Sequence, residues 1–234
     1  MRDLRPDLEN LWRNLRRLPS SGGGRVVMFL SAHEGEGTTS VAGSVALLAE
    51  ARSQRAVWLL DLDLETNRAF FGFEHGFAGQ LGRPERAFDA SLGVTPPCQA
   101  SRPAGQQRGG LVDNRHLLCA HQVGESRLLV TRLRGELLAR NQKVRLRPCE
   151  DWWQALRAKA EWVIVDAPAL ERSGAGLALA GQVDGVVLVL RSDRTRAESA
   201  ATARDEVEAN GGRVVGVVLN RVGSDARLMQ SFGA

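Results

Sequence analysis

Residues 25–39 read Arg25-Val26-Val27-Met28-Phe29-Leu30-Ser31-Ala32-His33-Glu34-Gly35-Glu36-Gly37-Thr38-Thr39. The run 26–30 is apolar throughout, which suits a strand covered on both faces, as in a parallel sheet. Gly35 and Gly37 follow. Beyond them Val41, Ala42, Val45 and Leu48 recur at helical spacing and predict a helix over 39–52. Glycines let successive backbone N–H groups turn inward, and a helix start adds further N–H groups and a positive dipole end, so strand, glycine loop and helix together make a phosphate site. The common pattern of such a loop is G-x-x-x-x-G-K-[ST]. Here Ala32 holds the first glycine position, Gly37 the second, Thr38 the lysine position and Thr39 the hydroxyl position. Thr39 can ligate Mg²⁺, whereas Thr38 brings no charge to bridge phosphates. Taken alone, the loop can also be read as an ordinary strand-to-helix turn.

Two further strand ends narrow that choice. A second apolar run, 56–61, ends Leu59-Leu60-Asp61-Leu62-Asp63. Acids two residues apart just past a buried strand can face one metal ion, and Mg²⁺ binds through one or two carboxylates plus phosphate oxygens. Turn acids are the plainer reading of Asp61 and Asp63 by themselves. A third run ends Val163-Ile164-Val165-Asp166-Ala167-Pro168. A strand followed by aspartate is the arrangement that holds Mg²⁺ in P-loop NTPases.

The remaining chain alternates in the same way. Helices are predicted over 6–18, 151–160, 171–180 and 195–210, and strands over 162–165, 185–190 and 214–219. Such alternation implies an α/β fold, a doubly wound and mostly parallel sheet, with its ligand beyond the carboxyl ends of the strands. Helix 6–18 is amphipathic, with Leu8, Leu11, Trp12, Leu15 and Leu18 on one face. Pro19-Ser20-Ser21-Gly22-Gly23-Gly24 after it reads as a break, which divides residues 1–24 from an NTPase-like domain over 25–234. The stretch 67–141 reads as an irregular excursion, with a short strand at 128–130 inside it and another at 144–146 just after it.

Composition sets bounds. The chain has 234 residues with 43% hydrophobic and 25% charged content, enough for one full core. Its three cysteines are far apart, which excludes a disulfide framework or a zinc cluster. The net charge is +4, carried by 29 scattered arginines and only two lysines, without the basic and aromatic patch that nucleic-acid binding needs. No apolar run is long enough to span a bilayer, and the charged start Met1-Arg2-Asp3-Leu4-Arg5 lacks the apolar core of a signal peptide, so a cytoplasmic protein is expected.

The order of motifs resembles the bacterial tyrosine kinase (BY-kinase) family. It runs from the GEG loop through hhhDxD and hhhhDxP to Val183-Asp184-Gly185-Val186-Val187-Leu188-Val189-Leu190-Arg191 and then Gly216-Val217-Val218-Leu219-Asn220-Arg221. This family comprises cytoplasmic domains or partners of capsule and exopolysaccharide co-polymerases and is related to the MinD/ParA ATPases. The resemblance implies a P-loop NTPase fold, ATP or ADP with Mg²⁺ as cofactors, and phosphates surrounded by Gly35, Glu36, Gly37, Thr38, Thr39 and Ser40. It implies a metal held by Thr39, Asp61 and Asp166, Asp61 and Asp63 as catalytic acids if the site is active, and Asn220 reading the base. A strand-end cap is the other reading of Asn220. Arg13 and Arg16 match the arginines of the family's E-x-x-R-x-x-R oligomerisation segment, with Asn10 in place of its glutamate, which leaves a homo-oligomer open.

The departures from the family are chemical. The loop lysine is Thr38, Glu65 stands where D-x-D-x-R has arginine, and the 234 residues contain no tyrosine. Tyrosine autophosphorylation within them is impossible. The resemblance therefore implies a degenerate, pseudo-kinase member, recruited to the inner membrane by a co-polymerase and regulating surface polysaccharide synthesis and export. The alternative is an active MinD/ParA-type ATPase switch, which lacks its lysine here. Arg68 and Arg191 are the substitutes for that cation that the sequence suggests.

Overall fold

The computed structural model describes residues 1–20, 22–101, 116–140 and 142–222. The predicted alternation takes the form of strands β1 (Arg25–Leu30), β2 (Ala56–Asp61), β3 (Pro84–Asp89), β4 (Cys98–Ala100), β5 (Leu118–Val123), β6 (Leu128–Leu133), β7 (Val144–Leu146), β8 (Ala160–Asp166), β9 (Gly185–Arg191) and β10 (Val214–Asn220). The helices are α1 (Glu9–Leu15), α2 (Thr38–Glu50), α3 (Arg68–Glu74), α4 (Glu150–Lys159), α5 (Ala175–Leu179) and α6 (Ala197–Ala209). An eight-stranded sheet has the order β10-β9-β1-β8-β2-β6-β5-β3, while β4 and β7 pair separately. From β10 to β6 every neighbour is parallel; β5 and β3 extend that edge antiparallel.

Both faces of the sheet are covered, which is why the central strands are apolar without alternation. Val26, Met28 and Leu30 face one core with Trp152, Trp153 and Leu156 of α4. Val27 and Phe29 face the other with Val41, Val45 and Leu48 of α2. Parallel register then fixes the site: Phe29 of β1 and Asp61 of β2 both lie opposite Asp166 of β8. Three strands thus end level, and two of them end in carboxylates.

Two expectations about organisation change. The N-terminal segment, divided from the rest at residue 24 by its glycine break, is built into the core. Leu4, Leu8, Trp12 and Leu15 are buried with α2, and the Trp12 and Trp162 rings lie 4.7 Å apart. Its helix begins as a 3-10 turn over Arg5–Leu8 before becoming α1. The stretch 67–141, expected to be irregular, supplies α3 and the strands β3, β5 and β6 of the main sheet. Asn67 joins these parts: its amide accepts from Leu133 N (2.8 Å) and donates to Leu133 O (3.2 Å). Part of that stretch, residues 102–115, and the tail from 223 lie outside the described residues. Among the described residues no helix is long and apolar enough to cross a membrane.

Candidate functional site

The glycine loop joins β1 to α2. Gly35 and Gly37 both adopt positive φ, 78° and 94°, a region open to glycine at little cost. Gly37 caps α2. A Cβ there would stand 2.1 Å from Asn220 Nδ2. That close approach has a purpose: Asn220 Nδ2 donates to Glu36 O at 2.8 Å, and Asn220 Oδ1 accepts from Arg221 N at 2.8 Å. Asn220, at the end of β10, therefore clamps the loop with both ends of its amide. It has the form of the strand-end cap, with one N–H of its amide committed to Glu36 O.

Glu36 is also turned inward. Its carboxylate accepts from His33 N (3.1 Å), Arg191 N (3.4 Å) and the Thr195 hydroxyl. The side chain thus braces the loop against the end of β9, and a phosphate could meet only its backbone. The Ser40 hydroxyl accepts from Arg2 N at 3.1 Å.

A cavity of about 720 Å³ opens over the loop. Gly35, Gly37, Thr38, Thr39 and Ser40 form one wall, and Phe71, His75 and Phe77 another. Glu34, Asp63 and Asp166 line it with Arg68, Arg172 and Arg221. The first turn of α2 points its N–H groups this way, since no helical carbonyl precedes them.

The three expected acids have three different surroundings. Asp61 is fully buried, and its oxygens accept from Asp63 N (2.9 Å) and Ala69 N (2.8 Å). Burial pushes it up to about 7, the nearby Asp63 charge adds to the rise, and the backbone N–H groups oppose it. Each oxygen thus takes one backbone N–H, which pins the β2–α3 loop, and Asp61 is not among the residues that line the cavity, unlike Asp63 and Asp166. Asp63 faces the cavity. It accepts from the Thr66 hydroxyl at 2.5 Å and pairs with Arg68 Nε (3.2 Å) and with Arg172.

Asp166 is the exception. It is buried, and among the described residues neither carboxylate oxygen has a partner in hydrogen-bond geometry. Burial raises it well above the usual carboxylate range and the Asp61 and Asp63 charges raise it further, against the nearby Thr39 hydroxyl and the Arg68 charge. A buried carboxylate without partners is costly, and a cation arriving in the cavity would relieve it. Among the described residues no group of three or more metal-ligating side chains exists. Mg²⁺, held by one or two protein oxygens with phosphate and water completing its shell, suits Thr39 and Asp166.

Of the two arginines suggested as substitutes for the lysine, Arg68 reaches the cavity. Arg191 pairs with Asp193 at 2.7 Å, away from it. Sequence reasoning missed Arg172 and Glu34. Arg172 follows β8 by six residues, on the same strand-end loop as Asp166, and an arginine beyond a strand end that carries an acid is the signal available for it.

No family model matches the sequence, and no curated protein matches it. Solved structures do. The kinase domain of VpsO aligns over 94% of this chain and 94% of its own, with 20% identity and a TM-score of 0.58. The kinase domain of the Escherichia coli tyrosine kinase ETK aligns over 84% of this chain and 67% of its own, with 20% identity and a TM-score of 0.51. The BceF tyrosine kinase domain aligns over 92% and 74%, with 18% identity and a TM-score of 0.51. The chain thus has the P-loop fold of these kinase domains.

Proposed function

We propose that this chain binds a nucleoside triphosphate with Mg²⁺ at the glycine loop without phosphorylating itself on tyrosine. In this reading it acts as the cytoplasmic, pseudo-kinase partner of a membrane polysaccharide co-polymerase, regulating synthesis or export of a surface polysaccharide such as capsule, exopolysaccharide or holdfast. Backbone N–H groups of the loop and of the first turn of α2 would receive the phosphates, and Thr39 and Asp166 would hold Mg²⁺. The ion neutralises phosphate charge when bound. The observation that carries the reading is the buried Asp166 carboxylate in the same cavity as the loop, which among the described residues has no partner in hydrogen-bond geometry. The co-polymerase role is supported by fold likeness to bacterial tyrosine kinase domains together with the absence of tyrosine from these residues. Arg13, Arg16 and Arg17 are exposed on the outer side of the N-terminal segment and offer a basic contact to such a partner.

Isothermal titration with ATP and Mg²⁺ is expected to give a saturable signal that Gly37→Arg abolishes, because a side chain there displaces Asn220 and fills the cradle. Equal signals from the two proteins refute the binding claim. Membranes carrying the co-polymerase should capture the chain, and reversing the charge of Arg13, Arg16 and Arg17 should weaken capture. Equal retention by membranes without the co-polymerase refutes the partner.

A further inference from the structure

The geometry points to Arg172 as the residue that supplies the cation missing at Thr38: we propose that its guanidinium leaves Asp63 and Glu34 to grip the terminal phosphate of the bound nucleoside triphosphate. This rests on the functional reading above and assigns the γ-phosphate recognition within it.

The backbone of Arg172 is already placed. Between β8 and α5 the chain is stitched to β1 and the start of the glycine loop: Ala167 N donates to Phe29 O (3.0 Å), Leu170 N to Ser31 O (2.9 Å) and Glu171 N to Ala32 O (3.2 Å). Arg172 N then closes a turn on Ala169 O at 3.0 Å. These bonds hold the root of the Arg172 side chain rigidly against the loop whose lysine is missing, so little ordering remains to be done on binding.

Its present partners make the move cheap. Arg172 pairs with Asp63 and, at 3.3 Å, with Glu34. Arg68 pairs with the same two acids, at 3.2 Å each. When Arg172 departs, neither carboxylate is left bare, because Arg68 still bridges them. Arg68 is the poorer candidate for phosphate: its side chain is 50% exposed against 24% for Arg172, so its charge is more screened. A guanidinium can meet two phosphate oxygens at once, a bidentate geometry that an ammonium lacks.

The test is titration of ATP·Mg²⁺ and ADP·Mg²⁺ into the wild type, Arg172→Gln, Arg172→Lys and Thr38→Lys/Arg172→Gln. Wild type should prefer ATP by about ten- to a hundredfold, the worth of hydrogen bonds to a charged group. Arg172→Gln should lose that preference while holding ADP within about twofold of wild type, which also shows that it is folded. Arg172→Lys should keep part of it, and Thr38→Lys should restore it. If Arg172→Gln keeps the wild-type ratio, or weakens ATP and ADP equally, the assignment is overturned. No binding by the wild type overturns the functional reading as well, which separates the two failures.

Discussion

Replacing Asp166 by asparagine should stabilise the empty protein at neutral pH while destroying its response to Mg²⁺. Asp166 lies opposite Asp61 in the parallel register, and Asp63 is two residues further on. Burial and these two neighbours raise its carboxyl well above the usual range. A carboxyl raised on folding binds its proton more tightly in the native state. Its contribution to stability is therefore full below the ordinary carboxylate value and is lost as pH rises from there through the folded value. Each unit of the rise costs about 1.4 kcal/mol above that window, and in a domain of this size 1 kcal/mol is about 2–4 °C of Tm. Asparagine fills the same space without ionising. Thermal melts of both proteins at pH 4.5 and pH 8, without metal, should show the variant higher at pH 8 by at least about 2–4 °C and the gap closing at pH 4.5. Adding MgCl₂ at pH 8 should raise wild type and leave the variant unmoved. A variant that melts lower at pH 8, or a gap independent of pH, would show that the carboxylate is paired in solution and refute the reasoning.

Three other substitutions probe the frame of the site. Gly37→Ala should cost about 2–3 kcal/mol in urea denaturation, from a left-handed Cβ and the broken Asn220–Glu36 bond; no loss would mean that the loop is not clamped. Arg157 Nη1 meets Asp184 Oδ2 at 2.6 Å, both buried, and donates to Gly24 O at 2.8 Å as well. Arg157→Ala should therefore cost about 3–5 kcal/mol in the same assay, with a loss below about 1 kcal/mol showing the pair to be solvated. Trp12→Ala should cost about 3–5 kcal/mol, because its ring packs on Trp162 in the core; a neutral result would show that the N-terminal segment does not contribute to that core.

The sequence made legible whatever depended on runs of buried strand. β1, β2, β8 and β9 carry continuous apolar runs that are buried, and Asp61 and Asp166, which end β2 and β8, mark the carboxyl edge of the sheet. It hid β3, which begins at a proline and is largely exposed at the sheet edge, so it carries neither a long apolar run nor a clean alternation. The expected helix over 171–180 begins only at Ala175 because the backbone before it is spent on β1 and the loop. The side-chain roles were harder for the same reason. Whether Asn220 caps or reads a base depends on Gly37 arriving within contact of it, 183 residues earlier in a chain of 234. Whether Asp61 touches a metal depends on α3 starting where Ala69 N can reach it. Neither event leaves a mark in the local pattern.

With Thr38 at the lysine position of the loop, the cavity still holds positive charge, on Arg68, Arg172 and Arg221. A lysine at position 38 would be a permanent cation in the first turn of α2, next to Thr39. Two of the cavity's arginines, Arg68 and Arg172, are instead held by its acids Glu34 and Asp63. In the proposed reading, Mg²⁺ would meet in Asp166 a carboxylate with no partner in hydrogen-bond geometry among the described residues, and a phosphate would meet in Arg172 a guanidinium now shared with Asp63 and Glu34. Such a site gains most when metal and triphosphate arrive together. Under the proposed function, ATP and Mg²⁺ should therefore stabilise the chain against heat more than the sum of either alone, and strictly additive Tm shifts would refute the coupling.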